Sequence, residues 1–366
     1  MRKGLSAIEL KHVVDELQVL AGSRVVKIYN PELNDFYFQV YGREGGKRLL
    51  RVLVPGFIYL TTFRILTEEK PHSFLQSLRK WLDGAFVSEI KQPRLERIVE
   101  IVFTSKEERF ILILELFAKG NIVLCKEDYT IISCQTNTKF SDREIRSKLI
   151  YKFPRQSVDL TQLTIEQLKS MLSKTDKDNL GSFLAVDMGF GGVYASEIVN
   201  VSNLDKNKVK IDDTGASRLF ESIEELINRK TKSYTVEDEI MPFQIAAHIG
   251  KEERQYPSFN EAIDSWLTPE TIRKQQEKGL DNTELLRIEK ILKMQEENLH
   301  ETEGEIETNQ KIAEWIYENY QDVKGLLNTI NLELKKEGAE KLLEKYGRVV
   351  KEINLKDKTI RISSEK

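Results

Sequence analysis

The sequence has few of the residues that build metal sites and disulfide frameworks. It contains two cysteines, Cys125 and Cys134, and four scattered histidines among 366 residues. Two cysteines cannot complete a four-cysteine zinc site, and the histidines have no metal-ligand spacing. We therefore expect neither structural zinc nor a disulfide scaffold, and no cofactor.

Long apolar segments are also missing. The longest run, Phe110–Phe117, is too short to span a bilayer and contains Glu115, so it predicts a buried strand. The amino terminus has charges but no apolar core followed by a small-residue cleavage site, which argues against a secretory signal. These absences predict a soluble cytoplasmic protein that has no membrane association.

Charge is unevenly distributed along the chain. Residues 1–155 hold 26 Lys and Arg against 19 Asp and Glu, a net charge of +7, whereas the remainder has a net charge of −10. Any electrostatic attraction to phosphate therefore belongs to the first segment. Charge alone is equally typical of basic surfaces that bind no nucleic acid.

The first segment alternates β-rich runs with two helical patterns. Ser6 and Glu9 have capping-box spacing before a helix, and a second helix is predicted from Pro71 to Leu82. Turn signals at Asn30-Pro31 and Gly45-Gly46 separate strands of an antiparallel meander. The strand-forming runs are VVKIY, FYFQVY, RLLRVLV, FIYLTTF, FVSEI, RIVEIVF, RFILILELF and NIVLC. This pattern predicts an α+β fold with an antiparallel β-rich lobe and flanking helices.

A helical pattern begins near Thr164 and includes the string MGFGGVYASEI. Its Gly189, Gly191, Ala195 and Ile198 fit the spacing of a helix-hairpin-helix. Glycines let such a hairpin approach a phosphate, and amides at the start of the next helix point toward the anion. Glycine-rich hairpins also simply join packed helices. The string is not a dinucleotide fingerprint, because the third glycine and a preceding strand are absent.

A heptad pattern predicts a long coiled-coil helix beyond residue 280. Its positions are Leu285, Ile288, Leu292, Gln295, Leu299, Thr302, Ile306, Asn309, Ala313, Ile316, Tyr320, Val323, Leu327, Ile330 and Leu334. A coiled coil needs a partner helix, so the stripe predicts a homodimer. Gly304 and Gly325 each weaken a helix by about 1 kcal/mol relative to alanine. The final run predicts a β-hairpin around Lys356-Asp357.

Several separated strings together resemble one family, the NEMF/RqcH ribosome quality-control factors, also known as fibronectin-binding-like proteins. The strings are SAIELKHVVDEL, GSRVVKIYN, PHSFLQSLRKWLDG, KQPRLERIVEIVF, ELFAKGNIVL, IRSKLIYKFP, GFGGVYASEI, MPFQIA with YPSFNEAID, and EWIYENYQDV. The resemblance covers nearly the whole chain and implies an NFACT-N module. It divides the chain into a first lobe (1–155), a helix-hairpin-helix region (156–232), a second lobe (233–270) and a partial coiled-coil middle domain (271–366).

The resemblance implies binding to a large ribosomal subunit obstructed by peptidyl-tRNA. Such a factor recruits tRNA, and the ribosome then extends the stalled chain at its carboxy terminus without a template. The protein itself would therefore not be an enzyme. The coiled coil's returning helix and the carboxy-terminal NFACT-R domain expected from the family are not found within the 366 residues.

Three residues match the family positions required for tRNA-dependent tailing: Glu9, Glu96 and Arg97. The two acidic positions carry glutamate where the family has aspartate, so the stem is one methylene longer. The capping box offers another explanation for Glu9, and a surface ion pair another for Glu96 and Arg97. Arg97 is the strongest candidate, because guanidinium suits bidentate phosphate contact and base stacking.

Other residues are candidates for contact with the RNA backbone. They are Arg79, Lys80, Lys119, Gly189, Gly191 and Gly192. The three cations are equally well explained as solvated charges on a helix or a turn. For Lys119 that turn is Ala118-Lys119-Gly120, between two predicted strands.

Two other function classes compete with tRNA recruitment. A DNA glycosylase of the Fpg/Nei type has a similar architecture, but it needs an amino-terminal proline nucleophile, whereas this chain begins Met1-Arg2-Lys3. Most such enzymes also carry a four-cysteine zinc finger. The second alternative is a coiled-coil adaptor that does not bind tRNA.

Overall fold

The computed structural model describes residues 3–42, 46–63, 72–106, 108–154, 159–277, 282–357 and 359–363, without the side chains of 273–277 and 282–289. The chain divides into two compact units, Met1–Lys278 and Gly279–Lys366. Helices and strands are combined as the sequence predicts, so the α+β assignment is confirmed.

A nine-stranded antiparallel sheet dominates the first unit. Its order is β4-β3-β2-β1-β5-β6-β7-β8-β9, so two meanders meet where β1 pairs with β5. The strands are β1 (Arg24–Glu32), β2 (Asp35–Tyr41), β3 (Lys47–Leu53), β4 (Phe57–Thr61), β5 (Phe86–Lys91), β6 (Ile98–Ser105), β7 (Glu108–Glu115), β8 (Asn121–Lys126) and β9 (Ile131–Cys134). The predicted antiparallel meander is therefore confirmed.

Alternation along these strands defines the main core. Phe36, Phe38 and Val40 of β2 are buried in one cluster with Phe103 and Phe110 from the other meander. Helix α1 (Ala7–Leu17) and helix α2 (Ser73–Leu82) contribute their apolar faces to the same cluster. The helices thus bury one face each, as their period of 3.6 predicts. Strands β6, β7 and β8 bury both faces, because Ile98, Ile111 and Val123 belong to a separate apolar cluster on the side opposite the main core.

The predicted turn at Asn30-Pro31 is wrong. Both residues lie inside β1, which turns into β2 two residues later. The strand pairing shifts register between Tyr29 and Glu32, and this irregularity accommodates a proline that lacks an N–H. The Asn30 amide also donates to the carbonyl of Asp35 at 2.9 Å, which ties β1 to the start of β2.

Two other predicted features lie partly beyond the described residues. The second helix begins at Ser73, and Pro71, its predicted start, is not among the described residues. The same holds for Gly45 of the Gly45-Gly46 turn. The predicted turn at Ala118-Lys119-Gly120 is confirmed, since the Gly120 N–H donates to the Phe117 carbonyl at 2.8 Å.

Short strands and helices follow the main sheet. They are β10 (Thr138–Lys139), β11 (Glu144–Ile145), α3 (Ile165–Lys174), α4 (Leu180–Ser182, continued by a π-helix over Phe183–Asp187), α5 (Gly191–Ser202), α6 (Asp213–Asn228), β12 (Tyr234–Val236), β13 (Glu239–Met241), β14 (Arg254–Gln255) and α7 (Phe259–Glu277). A second apolar cluster joins α4, α5 and α6 to Leu95 and to Tyr234 of β12.

Helix α7 lies along the edge of the large sheet. The Leu60 N–H of edge strand β4 donates to Asn260 Oδ1 at 2.7 Å, and the Thr62 N–H just beyond it donates to Asp264 Oδ2 at 3.0 Å. Side chains of α7 therefore accept hydrogen bonds that another strand would otherwise accept.

The second unit contains α8 (Asn282–Glu318), α9 (Tyr320–Glu337), α10 (Ala339–Tyr346), β15 (Val350–Asn354) and β16 (Thr359–Ile362). The long heptad helix is thus interrupted at Asn319, whereas Gly304 and Gly325 remain helical. The predicted hairpin around Lys356-Asp357 is confirmed, since Asn354 pairs with Thr359. The side chains of heptad positions Leu285 and Ile288 lie outside the described part.

Among the described helices, none combines the length and the apolar character needed to cross a bilayer.

Candidate functional site

A cleft of about 720 Å³ in the first unit brings together the two strongest candidate residues, Glu9 and Arg97. This volume is in the range of sites that hold small ligands or parts of larger ones. The lining residues come from five separate parts of the chain. They are Gly4, Leu5, Ser6, Glu9, Arg97, Phe190, Gly191, Gly192, Val193, Tyr194, Asp238, Glu239, Met241 and Trp266.

Glu9 joins the first helix to the helix-hairpin-helix region. The predicted capping box is present, because Glu9 Oε2 accepts the Ser6 N–H at 2.7 Å and the Glu9 N–H donates to Ser6 Oγ at 3.3 Å. The hydroxyl of Tyr194, on α5, donates to the other carboxylate oxygen at 2.8 Å. Glu9 is almost completely buried. Its carboxylate therefore links the start of α1, on one side of the cleft, to α5 on the other side.

Arg97 presents a half-buried cation to the same cleft. Its guanidinium makes no ion pair with any described carboxylate, and its buried Nε has no hydrogen-bond acceptor there. Burial lowers the pKa of this guanidinium, although arginine remains charged. A Cβ on Gly4 would lie 2.6 Å from the Gly56 backbone as well as 2.9 Å from Arg97 Nη2, and the fixed backbone contact is what requires glycine beside Arg97. A buried cation without a counter-ion favours an anionic ligand.

Two of the predicted hairpin glycines, Gly191 and Gly192, line the cleft, whereas Gly189 does not. Gly189 and Gly191 have φ values of +77° and +74°, which glycine adopts without strain. Helix α5 begins at Gly191 with no side-chain cap, and Gly191 and Gly192 line the cleft. The amino-terminal end of this helix, with its partial positive charge, therefore faces the same space as Arg97.

Glu96 lies apart from this group. It does not line the cleft, and it forms no ion pair with Arg97 in the described structure. Burial raises the pKa of the Glu96 carboxyl, while Arg94 and Arg143 oppose that shift. Glu96 and Arg97 lie in the bend just before β6, and only Arg97 lines the cleft.

The three weaker cationic candidates are also outside the cleft. Arg79 donates from Nε to the carbonyl oxygen of Ile28 at 3.0 Å, so it supports β1. Lys80 is exposed and lies over the Trp81 ring, with Nζ 5.2 Å from the centroid. Lys119 is exposed at the tip of its turn.

Ten lining residues were not among the predicted site residues, and they include Tyr194, Trp266, Asp238 and Glu239. Tyr194 follows the hairpin glycines at the position where a dinucleotide fingerprint would have its third glycine. This aromatic residue in place of glycine was a weak sequence signal for Tyr194. The indole N–H of Trp266 donates to the Asp238 carbonyl at 3.1 Å, which fixes the ring at the rim. No spacing in the sequence links these residues to Arg97.

The cleft therefore combines features that suit one part of an RNA chain. Arg97 and the start of α5 can hold a phosphate, and an aromatic ring offers a stacking surface. Carboxylates at the rim can accept hydrogen bonds from ribose hydroxyls or base N–H groups. One of them belongs to Glu239, which contacts His248 at 3.0 Å. No group of three or more metal-ligating side chains is found among the described residues.

Comparison with known protein families gives one extended match. The model for NFACT N-terminal and middle domains matches residues 6–364. An archaeal Rqc2 homolog, aRqcH from Methanocaldococcus jannaschii, is 30% identical over 355 residues, which are 90% of this chain and 52% of that protein. RqcH of Streptococcus pneumoniae strain D39 is 26% identical over 322 residues, 82% of this chain and 56% of that protein. The chain thus spans about half the length of these curated relatives.

Solved structures show the same fold. The N-terminal part of a fibronectin/fibrinogen-binding protein from Streptococcus suis aligns with a TM-score of 0.60 at 23% identity, over 73% of this chain and 100% of that one. A fibrinogen binding protein from Staphylococcus aureus aligns with a TM-score of 0.59 at 21% identity, over 71% and 97%.

Proposed function

Because this chain belongs to the family of NFACT N-terminal and middle domains, we propose that it acts in ribosome quality control. It binds large ribosomal subunits obstructed by peptidyl-tRNA in the cytoplasm and recruits tRNA, so that the stalled chain is extended at its carboxy terminus. The names of the relatives support this proposal, since they include Rqc2 homologs and, in Homo sapiens, the ribosome quality control complex subunit NEMF.

The position of the Arg97 guanidinium in the cleft is the observation that supports the proposal most directly. Its guanidinium faces a cleft that also holds the start of α5, and it has no ion pair with a described residue. Burying a cation in this way costs free energy unless a ligand supplies the counter-charge. A phosphate of tRNA supplies that charge, and the guanidinium plane can also stack on a base.

Glu9 has a positioning role in this proposal. Its carboxylate bridges Ser6 and Tyr194, so it fixes the distance between the start of α1 and the start of α5. The glutamate stem, one methylene longer than aspartate, is what spans both contacts in this chain. Glu96 does not line the cleft, and it supports the turn before β6 through its backbone, since its N–H donates to the Pro93 carbonyl at 2.9 Å and its carbonyl accepts from Gln92 Nε2 at 2.7 Å.

The chain in this proposal is a recruiter, and the ribosome forms the peptide bonds. A strand-cleavage assay on DNA that contains an abasic site tests the glycosylase alternative. We expect no cleavage product above the level without protein. Turnover in that assay would contradict the recruiter function.

The central test is capture of RNA by wild type and by Arg97→Ala. Tagged protein is crosslinked in a lysate that contains ribosomes, and bound RNA is sequenced. We expect wild type to enrich large-subunit ribosomal RNA and tRNA, and Arg97→Ala to lose tRNA, because its phosphate contact is removed. Fluorescence anisotropy with purified tRNA should show about tenfold weaker binding, as expected for loss of a charged hydrogen bond of about 1.5–3 kcal/mol.

Arg218→Ala is the matched control. It removes the same charge from an exposed position on α6 that does not line the cleft. We expect its tRNA affinity to match that of wild type. Equal losses in both variants would mean that only overall charge matters, and no tRNA enrichment by wild type would refute the proposal for this chain.

A further inference from the structure

A row of side chains crosses six strands of the large sheet in direct register. Arg24 pairs with Tyr41 on one side and with Phe86 on the other. The row extends from Tyr41 to Lys47, and from Phe86 through Thr104 to Arg109. Directly paired residues project from the same face of a sheet, so these six side chains form one continuous line, the β-row.

The β-row lies on the face that points away from the main core. The sequence neighbours Val25, Val40, Val87, Phe103 and Phe110 all belong to that core, so the row residues project to the other side. Tyr41 is 55% exposed and Phe86 is 48% exposed. The two rings flank Arg24 in the row, so apolar surface is exposed on both sides of a cation.

Charge along the β-row is of one sign. Lys47 and Arg24 are exposed and form no ion pair with any described carboxylate, whereas Arg109 contacts Glu127 at 3.1 Å. Arg24 Nε donates to the Gly84 carbonyl at 3.3 Å, which holds the guanidinium close to the sheet. From Lys47 to Phe86 the row therefore alternates cation, ring, cation, ring.

We propose that the β-row is a binding surface for single-stranded RNA, separate from the cleft. Bases stack on Tyr41 and Phe86, Arg24 contacts the phosphate between them, and Lys47 contacts the phosphate beyond Tyr41. Neighbouring strands are about 4.8 Å apart, so the two ring positions are separated by roughly 10 Å along the row. This alternation suits an extended strand, whose bases are free to stack, better than a duplex, whose bases are already paired.

The β-row shares no residue with the cleft, so the inference goes beyond tRNA recruitment. A surface that binds single strands without reading sequence would hold unpaired RNA while the cleft holds a different segment. Two contacts on one RNA or one ribonucleoprotein would raise the overall affinity above that of either alone.

The test measures binding of a fluorescein-labelled uridine dodecamer by anisotropy. The whole chain carries Arg97→Ala in every sample, so that the cleft contributes little. Into this background we introduce Tyr41→Ala with Phe86→Ala, and separately the conservative Tyr41→Phe. Leu33→Ala is the control, since Leu33 is an exposed apolar residue outside the row. Thermal unfolding of each variant verifies that the fold is intact.

We expect the double alanine variant to bind the dodecamer at least tenfold more weakly, because each base stacked on an aromatic ring contributes about 1–3 kcal/mol. Tyr41→Phe and Leu33→Ala should bind as the background does. Equal affinity in the double variant and the control would overturn the proposal. So would the absence of saturable binding to the dodecamer, or binding of an acidic, aromatic peptide in its place.

These outcomes are distinct from those for the cleft. Loss of tRNA capture by Arg97→Ala concerns only the cleft, because the β-row is intact in that variant. Loss of dodecamer binding on removal of the two rings concerns only the β-row.

Discussion

At the scale of single residues, Glu9 shows that two explanations drawn from the sequence are compatible. The capping box explains an acidic residue at this position, and the structure confirms it. The same carboxylate also lines the cleft and accepts a hydrogen bond from Tyr194. Local spacing predicted the first contact. The second could not be predicted, because Tyr194 is 185 residues away along the chain.

His12 gives a prediction about pH. It is buried in α1, its Nδ1 lies 2.8 Å from Thr231 Oγ1, and burial lowers its pKa to about 4. The unfolded chain has a histidine pKa near 6.5, so between pH 6.5 and about 4 it binds a proton that the folded chain does not. The free energy of unfolding should therefore fall as the pH falls through this window, by up to about 3 kcal/mol.

Urea unfolding near neutral pH and at the acidic end of this window measures that loss. In His12→Gln no proton can bind at this position, so the variant should lose less stability on acidification than wild type. Glu96 acts in the opposite sense, because burial raises its pKa and acid then favours the folded state. The variant comparison isolates His12, and identical pH dependence in both proteins would contradict the assignment.

At the scale of elements, the helix-hairpin-helix was predicted well because glycine spacing is a local property. Ala195 and Ile198 are buried in the second apolar cluster, as the motif requires. The short strands β9 to β14 were mostly not predicted, since segments of two to four residues cannot show a period. The turn at Asn30-Pro31 was misplaced because a strand irregularity absorbs the proline.

Two neighbouring glycines of this hairpin provide a matched pair of substitutions. Gly191 has a φ of +74°, whereas Gly192 does not have a positive φ, and a methyl group on either would meet no atom within 4 Å. Gly191→Ala should destabilise the fold by about 1 kcal/mol through backbone strain alone. Gly192→Ala should be neutral or stabilise it by up to about 1 kcal/mol.

Thermal and urea unfolding measure this difference. Both methyl groups project where the cleft ligand is proposed to approach α5, so both variants should bind tRNA more weakly. If Gly192→Ala kept full tRNA affinity, the RNA backbone would not approach the helix there.

At the scale of the whole molecule, the cleft could not be predicted as a unit. Its walls come from the amino terminus, the turn before β6, the start of α5, β13 and α7, and only the fold brings them together. The sequence did identify Glu9, Arg97, Gly191 and Gly192 individually. The placement of Glu96 away from them depends on the turn before β6, where Arg94 and Leu95 have positive φ values that the sequence pattern does not indicate.

The second unit leads to a prediction about association. Leu292, Leu299 and Ile306 of α8 are each more than half exposed in the single chain. We predict a homodimer through this stripe, because apolar heptad positions are buried by a partner helix. Light scattering over a wide range of protein concentration should show a dimer for wild type. Leu299→Lys should shift it toward monomer, whereas Glu301→Lys, which lies away from the apolar stripe and its flanking positions, should not.

The turn that ends in Arg97 also fixes the conformation of the cleft before a ligand binds. Leu95 has a left-handed backbone and is buried in the second apolar cluster, while the carbonyl of Arg97 accepts the Leu116 N–H of the large sheet at 2.8 Å. Residues 95–97 thus connect the large sheet to the helical region at the position of the Arg97 guanidinium. Such a site is preorganised, so little conformational entropy is lost on association.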